Sequence, residues 1–541
     1  SGKEGGGGFP AIVRIGIVMI KEMNLRVLPQ QAASEQDLKV YIGKNMAVDV
    51  SAIHAVRVLK RSIDARQRTI LVNLSVRVYI NELPDDDGYQ RIEYGDVSDR
   101  PEVIVVGAGP AGLFAALRLI ERGLRPVIIE RGKNVHDRKK DIALISREHR
   151  VDSESNYSFG EGGAGAYSDG KLYTRSKKRG SVERILNIFC QHGASTSILS
   201  DAHPHIGTDK LPRIISNIRR TIEAAGGAIR FGSRVTGFDL RDGRITGVRC
   251  GDERIEGAAV VLATGHSARD IYETLHACGV RVEAKPFAMG VRIEHPQALV
   301  DSIQYHCRER GEYLPAASYS LVSQEGGRGV YSFCMCPGGF IVPAMTDAAQ
   351  SVVNGMSPSL RNSPYANSGL VTEVRLDDFA HLRDEWGELA GLRFQQMFEE
   401  TARLHGGAAQ VAPAQRVADF VAGRPSRTLP ATSYIPGITP SRLDGWMPRF
   451  IAESLRAGLR TFGRRMRGFV TGEAVVVGVE SRTSTPVRVP RDPATGMHPE
   501  VRGLFPTGEG AGYAGGIVSA ALDGERMADA AADYVEHATM R

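Results

Sequence analysis

Long apolar segments and cysteines are both scarce in this sequence. The longest apolar segments, such as Ala11–Ile20 and Ala474–Val479, fall far below the roughly 20 residues that a membrane-spanning helix needs. Six cysteines spread over 541 residues are too few for a disulfide scaffold. The chain begins Ser1-Gly2-Lys3-Glu4 and continues with four glycines, which is not the pattern of a secretory signal. We therefore expect a flexible N-terminal tail, reduced thiols, a cytoplasmic location and no membrane partner.

A strong charge of either sign is also missing. The net charge is +6, and the proportions of 42% hydrophobic and 24% charged residues exclude a disordered or fibrous protein. Nucleic-acid-binding proteins more often show a concentrated basic patch, so we expect no nucleic-acid partner. RNA binding stays open as an alternative because five basic residues cluster near one predicted strand, although Asp64 lies among them: Arg57, Lys60, Arg61, Arg66 and Arg68.

Glycine, in contrast, is abundant, with 61 residues. Many of the glycines fall near residues 107–112, 160–170 and 508–516, beside apolar segments and not in a low-complexity linker. Glycine has no Cβ, so such runs allow the backbone to lie close to a ligand. A chain of 541 residues also exceeds the roughly 250–300 residues that one hydrophobic core supports. We therefore expect two or three domains and a ligand held by glycine-rich loops.

One segment has the complete pattern of a dinucleotide-binding motif. An apolar run, Val103–Val106, predicts a strand, and an apolar helix follows the glycines. Gly107 permits a tight turn, Gly109 lets a pyrophosphate reach the backbone, and Gly112 allows close packing of helix and strand. The free N–H groups and positive dipole end of the helix would face the phosphates. Glu130, at the end of the next strand, would accept hydrogen bonds from ribose hydroxyls.

The rest of the chain predicts an α/β protein in four segments. Ser34 and Asp37 have the spacing of a helix N-cap, and residues 72–80 alternate as in a half-buried strand. Turn-forming residues from Pro84 to about Arg100 end this first module. The segments are 1–97, a small α+β module; 98–285, the first part of the nucleotide-binding domain; 286–472, an inserted α+β substrate domain; and 473–541, the second part of the nucleotide-binding domain.

Three separated motifs extend the dinucleotide-binding pattern. In chain order they are Gly107-x-Gly109-x-x-Gly112 with Glu130-Arg131, Ala263-Thr264-Gly265, and Gly508-Glu509-Gly510. Together they resemble the glutathione-reductase-like two-domain flavoproteins. The resemblance implies FAD as the cofactor, bound by a Rossmann-like domain in discontinuous segments. It also implies that Ala514-Gly515-Gly516-Ile517 begins a helix aimed at the flavin pyrimidine ring, where the helix N-terminus would stabilise negative charge on the reduced flavin.

A narrower resemblance rests on Phe159–Tyr173, Cys334–Gly339 and Gly508–Ile517. These segments look like the bacterial FAD-dependent dehydrogenases, a likeness that covers nearly the whole chain. It implies FAD and redox chemistry but no particular substrate. The residues that the motif and the resemblance assign to FAD are Gly107, Gly109, Pro110, Ala111, Gly112, Glu130, Arg131, Gly162, Gly163, Ala164, Val235, Ala263, Thr264, Gly265, Gly508, Glu509, Gly516 and Ile517.

Five side chains are candidates for catalysis, each with a structural alternative. Asp169 and Lys171 could act on a substrate or form an ion pair. Cys334 and Cys336 could be ordinary reduced thiols, or could be redox active or bind a metal; the Cys-x4-Cys pair of disulfide reductases is missing. Arg482 could hold an anionic substrate or form a buried ion pair.

Two further absences concern metal binding and the electron donor. His203, His205 and His266 have no partner ligands at a familiar spacing, so no metal site is predicted. A second Gly-x-Gly-x-x-Gly on its own strand is missing, so NAD(P)H would be a transient electron donor without a dedicated domain.

These observations predict an FAD-dependent oxidoreductase, a dehydrogenase or reductase that moves hydride between flavin N5 and a small organic substrate. The alternatives are a flavin monooxygenase and an FAD-containing protein that binds or modifies RNA. The sequence does not define the substrate, the electron donor, the catalytic acid or base, or the oligomeric state.

Overall fold

A computed structural model describes residues 18–174 and 180–539 of the chain. The glycine-rich tail predicted at the start lies outside the described residues. The chain divides into two compact units, Ser1–Gly88 with Leu199–Ala202, and Tyr89–Ile198 with His203–Arg541. The division falls within the turn-rich stretch that starts at Pro84. Among the described residues, no helix is both long and apolar enough to cross a membrane.

The first unit is a three-stranded antiparallel sheet with two helices. In spatial order its strands are Met19–Val27, Leu71–Ile80 and Ile53–Asp64, and its helices are Pro29–Ala33 and Glu35–Met46. The predicted N-cap is confirmed, because the Ser34 hydroxyl accepts the Asp37 N–H at 3.1 Å. Leu38 and Ile42 of the second helix share one core with the alternate residues of the central strand.

The second unit contains a five-stranded parallel sheet, as the dinucleotide-binding motif predicts. Its spatial order is Leu504–Pro506, Ala259–Leu262, Glu102–Val106, Arg125–Ile129 and Ala228–Arg230. The helices associated with this part of the chain are Pro110–Glu121, Val135–Glu148, Val182–Gln191, Leu211–Ala224, Arg269–Ala277 and Ile517–Thr539. The predicted hairpin at Asp242-Gly243 is confirmed in a small antiparallel sheet of Gly237–Arg241, Arg244–Cys250 and Glu253–Glu256.

A seven-stranded sheet forms the other large part of this unit. Its spatial order is Val322–Glu325, Arg328–Cys336, Tyr365–Val374, Phe287–Pro296, Val475–Glu480, Ala412–Arg416 and Ile438–Pro440, with only the last pair parallel. Its helices are Gln297–Tyr305, Arg383–Trp386, Ala390–His405, Val417–Ala422 and Arg449–Arg465, and two-stranded ladders join Phe340–Pro343 to Val353–Met356 and Glu283–Ala284 to Val487–Arg488.

The position of Val475–Glu480 corrects one predicted boundary. The sequence placed residues 473–541 in the nucleotide-binding domain, but this strand lies between Phe287–Pro296 and Ala412–Arg416 in the seven-stranded sheet. All six of its residues are buried. A continuous apolar run predicts a buried strand equally well in either sheet, so local sequence could not assign it.

Candidate functional site

A cavity of about 360 Å³ lies at the carboxyl ends of three parallel strands. Val106 and Ile129 end two of these strands at the cavity, and Ala263 follows the third. The cavity brings together most of the residues that the sequence assigned to FAD: Gly107, Gly109, Pro110, Ala111, Glu130, Arg131, Gly163, Ala164, Val235, Ala263, Thr264, Gly265, Glu509, Gly516 and Ile517.

Three glycines assigned to FAD are absent from the cavity wall and have packing roles. A Cβ on Gly112 would lie 1.9 Å from the Gly107 carbonyl oxygen, so this position holds the helix against the turn. Gly162 has φ +83° and Gly508 has φ +76°, conformations that favour glycine. The Gly508 N–H also donates to buried Asp523 at 2.8 Å.

The cavity wall fits the close approach of a dinucleotide. A Cβ added at Gly265 or Gly515 would meet no atom within 4 Å, and one at Gly109 would meet only the Gly163 Cα, at 3.8 Å. Gly109 is the N-cap of Pro110–Glu121 and has no side chain to bond the first N–H groups of that helix. Bare backbone and a helix N-terminus at one cavity are the features that bind pyrophosphate. The residues present therefore fit FAD.

Glu130 and Arg131 differ in how freely they face the cavity. The Glu130 carboxylate accepts N–H groups from Ala108, Gly132 and Gly160 at 2.8–2.9 Å. Because a carboxylate has about four acceptor positions, one is left for the predicted ribose contact. The Arg131 guanidinium lies 4.1 Å from the centre of the Phe159 ring and pairs with Glu154 and Asp270. These contacts hold the Arg131 side chain in one position in the cavity lining.

The glycine-rich loop at 160–170 is held by a buried arginine that sequence reasoning missed. Arg138 is 0% exposed and donates to the carbonyl oxygens of Asn156, Tyr157, Gly160 and Glu161 at 2.7–3.3 Å. Four carbonyl contacts around one rigid guanidinium fix the loop that carries Gly163 and Ala164 into the cavity. Arg138 lies at a buried position of the helix Val135–Glu148, a helix that was not predicted from the sequence.

Four of the five catalytic candidates form one cluster beside the cavity. The Lys171 Nζ lies 3.8 Å from the Cys334 Sγ and 3.8 Å from the Cys336 Sγ. It also lies 3.4 Å from Asp169, so the predicted ion pair is present. Asp169 in turn accepts two hydrogen bonds from Arg361, at 2.6 and 3.0 Å. Lys171, Asp169 and Cys334 line the cavity, whereas Cys336 is fully buried.

The fifth candidate, Arg482, forms the buried ion pair and not the clamp for an anion. Its guanidinium makes five hydrogen bonds, two to Glu399 and the others to Ser267, Thr346 and Gln350, at 2.6–3.3 Å. These contacts use all five donors of an arginine. The interpretation as an anion clamp is therefore wrong in this structure, because no donor remains for a substrate.

Glu399 is the anion between two buried arginines. Arg269 donates to both of its oxygens at 2.8 and 2.9 Å, and Arg482 to both at 3.0 Å. Burial alone would raise the pKa of Glu399, but the charges of Arg269 and Arg482 lower it to about 2. The carboxyl therefore stays ionised at neutral pH.

Two other titratable side chains line the cavity close together. The His266 Nε2 lies 3.9 Å from the Glu509 carboxylate. Burial, with the nearby charges of Arg482 and Arg269, lowers the pKa of His266 to about 4, so the imidazole is neutral at pH 7. Burial raises the pKa of Glu509 to about 7, with the charge of Cys334 adding to the effect.

No metal centre is found among residues 18–174 and 180–539, where no group of three or more His, Cys, Asp or Glu could hold an ion. His205 contacts the Ser359 carbonyl oxygen at 3.1 Å, and the His203 ring packs edge-on against Tyr173.

The basic cluster of the first unit is partly neutralised. Arg57 pairs with Asp86 at 2.8 Å, and Arg66 pairs with Asp64 at 2.8 Å.

Three separate ranges of the chain match known protein families. Residues 101–282 match the family described as pyridine nucleotide-disulphide oxidoreductase, and residues 286–483 match the one described as FAD-dependent protein, C-terminal domain-like. Residues 19–79 match a domain of unknown function, DUF8436. The second match ends just after Val475–Glu480, in agreement with the corrected boundary. The fold, the cavity and these matches define an FAD-dependent oxidoreductase.

The chain belongs to the same family as an uncharacterized protein of Clostridium beijerinckii, to which it is 38% identical over 529 residues, 94% of this chain and 98% of that protein. It is also 26% identical over 220 residues to Protein FixC of Salmonella typhi, a match that covers 37% of this chain and 45% of FixC. Among solved structures, that of CtdE in complex with FAD has a TM-score of 0.32 and 12% identity, over 82% of this chain and 89% of CtdE.

Proposed function

We propose that this FAD-dependent oxidoreductase exchanges hydride between the flavin and a small organic substrate. The observation that carries the proposal is the composition of one cavity wall. Phe333, Cys334, Asn354 and Arg482, from or beside the seven-stranded sheet, line the same cavity as the glycine motif of the parallel sheet. A substrate held against the first set would therefore lie beside a cofactor held by the second.

A smaller cavity of about 30 Å³ supports a small substrate group. It shares Asn354, His266 and Arg482 with the larger cavity. Its remaining wall combines apolar side chains with polar groups and is formed by Tyr157, Tyr167, Val342, Ala344, Val352, Val353, Gly355 and Glu480. A space of this size suits a small substituent and excludes a bulky one.

FAD supplies two-electron chemistry when it is bound. The protein's own groups would fix its position and handle the proton. The N-terminus of Ile517–Thr539 faces the cavity through Gly516 and Ile517, where its dipole favours negative charge. Glu509 is the best-placed group to hold or release a proton, since a general acid or base works best with a pKa near the working pH.

NAD(P)H is proposed as a transient electron donor. The glycine motif at Gly107–Gly112 is accounted for by FAD, and the same glycine spacing at 160–165 and 510–515 falls in segments whose neighbouring residues are also assigned to FAD. A nicotinamide would then have to reach the flavin without a binding domain of its own.

The test is an anaerobic absorbance spectrum of the purified protein before and after NADH, and then NADPH, with the released cofactor identified by mass. Flavin bands that bleach with one nucleotide support the proposal and identify the donor. Flavin bands that persist with both nucleotides remove NAD(P)H as donor, and a screen of small hydroxylated and unsaturated compounds then tests hydride transfer alone. A protein that takes up no FAD, or a flavin that no such compound reduces or reoxidises, contradicts it.

A further inference from the structure

The backbone around Cys334 and Cys336 departs from a regular strand. Residues two apart in a regular strand have Cα atoms about 6.6 Å apart, close to the upper limit of about 6.8 Å for a disulfide. Here the register with Tyr365–Val374 shifts between Phe333 and Cys336, and Cys334 has φ +45°. The shift brings both sulfurs within 3.8 Å of the same nitrogen, Lys171 Nζ.

Two cations face this pair of sulfurs. Lys171 is one, and Arg292 is the other, with its Nη2 3.4 Å from the Cys336 Sγ and 2.7 Å from the Cys334 carbonyl oxygen. Arg292 is 0% exposed and pairs with buried Glu480 at 3.2 Å. Positive charge in a buried site favours the thiolate over the thiol.

The pKa values of the two thiols therefore shift in opposite directions. The hydrogen bond with Cys336 lowers the pKa of Cys334 well below its ordinary value, and Lys171 and Arg292 lower it further against burial and the charge of Asp169. The same hydrogen bond and burial raise the pKa of Cys336. Glu509 and Glu480 are the other carboxyls that interact with Cys334. Cys334 is therefore the more acidic thiol of the two and the first to ionise.

We propose that Cys334 and Cys336 are a redox-active dithiol that converts reversibly to a disulfide and exchanges an electron pair with the bound flavin. The inference requires FAD in the cavity but does not depend on the proposed organic substrate. Oxidation of the pair forms one S–S bond and breaks the Cys336 S–H bond. The electron pair and that proton pass to the oxidised flavin, so no further oxidant is needed.

Other roles for the pair fit the structure less well. A metal cation would compete with Lys171, whose Nζ lies 3.8 Å from both sulfurs, and no group of three potential metal ligands is found among the described residues. A purely packing role does not require a lysine and an arginine at the sulfurs. The buried thiol of Cys190 shows the contrast, because burial raises its pKa to about 11.

The test is an anaerobic titration of the FAD-loaded full-length chain with dithionite, after oxidation of the thiols. The wild type should consume about twice as many reducing equivalents per flavin as Cys334→Ser or Cys336→Ser, because disulfide and flavin each take an electron pair. Cys278→Ser, which removes an exposed thiol elsewhere, should behave as the wild type. Equal consumption by all four proteins would overturn the inference.

A second readout does not depend on the flavin or on the folding of a variant. Thiols of the oxidised wild-type chain are alkylated after the flavin is released, and the peptide that contains residues 334–336 is analysed by mass. A disulfide that disappears on reduction is expected, and full alkylation after oxidation would count against the pair. Dithionite reduces the protein directly, so this titration needs no organic substrate. If the wild type consumes twice the reducing equivalents but exchanges no hydride with any organic compound, the dithiol inference stands and the proposed function fails.

Discussion

Replacing Gly109 with alanine should weaken FAD binding without disturbing the fold. Gly109 has φ −76° and ψ −176°, a conformation that alanine adopts without strain. The added Cβ would meet only the Gly163 Cα, at 3.8 Å, so the protein has room for it. It would instead project where the pyrophosphate approaches the backbone. Loss of one hydrogen bond to a charged group costs about 1.5–3 kcal/mol, so the Kd for FAD should rise roughly 10- to 100-fold.

The assay is calorimetric titration of the FAD-free protein with FAD, together with its thermal unfolding. Gly237→Ala is the matched control, since its Cβ would meet Arg249 at an ordinary 3.6 Å and Gly237 does not line the cavity. Gly112→Ala is the opposite case, since its Cβ would lie 1.9 Å from a carbonyl oxygen and should destabilise the fold itself. Unchanged FAD affinity in Gly109→Ala would refute the assignment of this cavity to FAD, and unfolding as severe as in Gly112→Ala would refute the packing argument.

Three other predictions concern charged groups. Glu399→Gln leaves two buried arginines without an anion and should lower the free energy of unfolding in urea by about 3–5 kcal/mol. Glu400→Gln, at a partly exposed ion pair on the same helix, should lower it by at most about 1 kcal/mol, and equal effects of the two variants would contradict this. Because the pKa of Glu399 falls from 4.5 to about 2 on folding, its contribution is present above pH 4.5 and lost as the pH falls towards 2. Lys171→Met should raise the pKa of Cys334, because it removes a positive charge beside the sulfur. The alkylation rate against pH measures this, and an unmoved profile would show that Lys171 does not stabilise the thiolate. The rate of flavin reduction should change near pH 7, where Glu509 ionises, and a change that survives in Glu509→Gln would assign it to another group.

Local motifs predicted the elements that depend on neighbouring residues. The Ser34 cap, the hairpin at Asp242-Gly243 and the turn at Gly107 each require particular residue types within a few positions, because dihedral angles and short-range hydrogen bonds set them. The same holds for the FAD residues of the three motifs, most of which line one cavity.

The side chains that complete the site come from distant parts of the chain. Lys171 is 163 residues from Cys334, and Asp169 is 192 residues from Arg361. No periodic pattern links such pairs, so the sequence left Asp169 and Lys171 undecided and did not select Arg292 or Arg361.

Local sequence was enough to predict a dinucleotide-binding turn and its parallel sheet, because a phosphate-binding turn is a short-range structure with strict requirements for glycine. The resemblance of three motifs to known flavoproteins then implied FAD. The folded structure was needed to show that Glu399, Ser267, Thr346 and Gln350 together use every donor of Arg482. It was also needed to show that Lys171 and Arg292 face the two cysteines. It also placed Val475–Glu480 in the seven-stranded sheet. The physical reason is the same in each case: ion pairing and strand pairing depend on which groups meet in the folded chain, and burial then sets their charge.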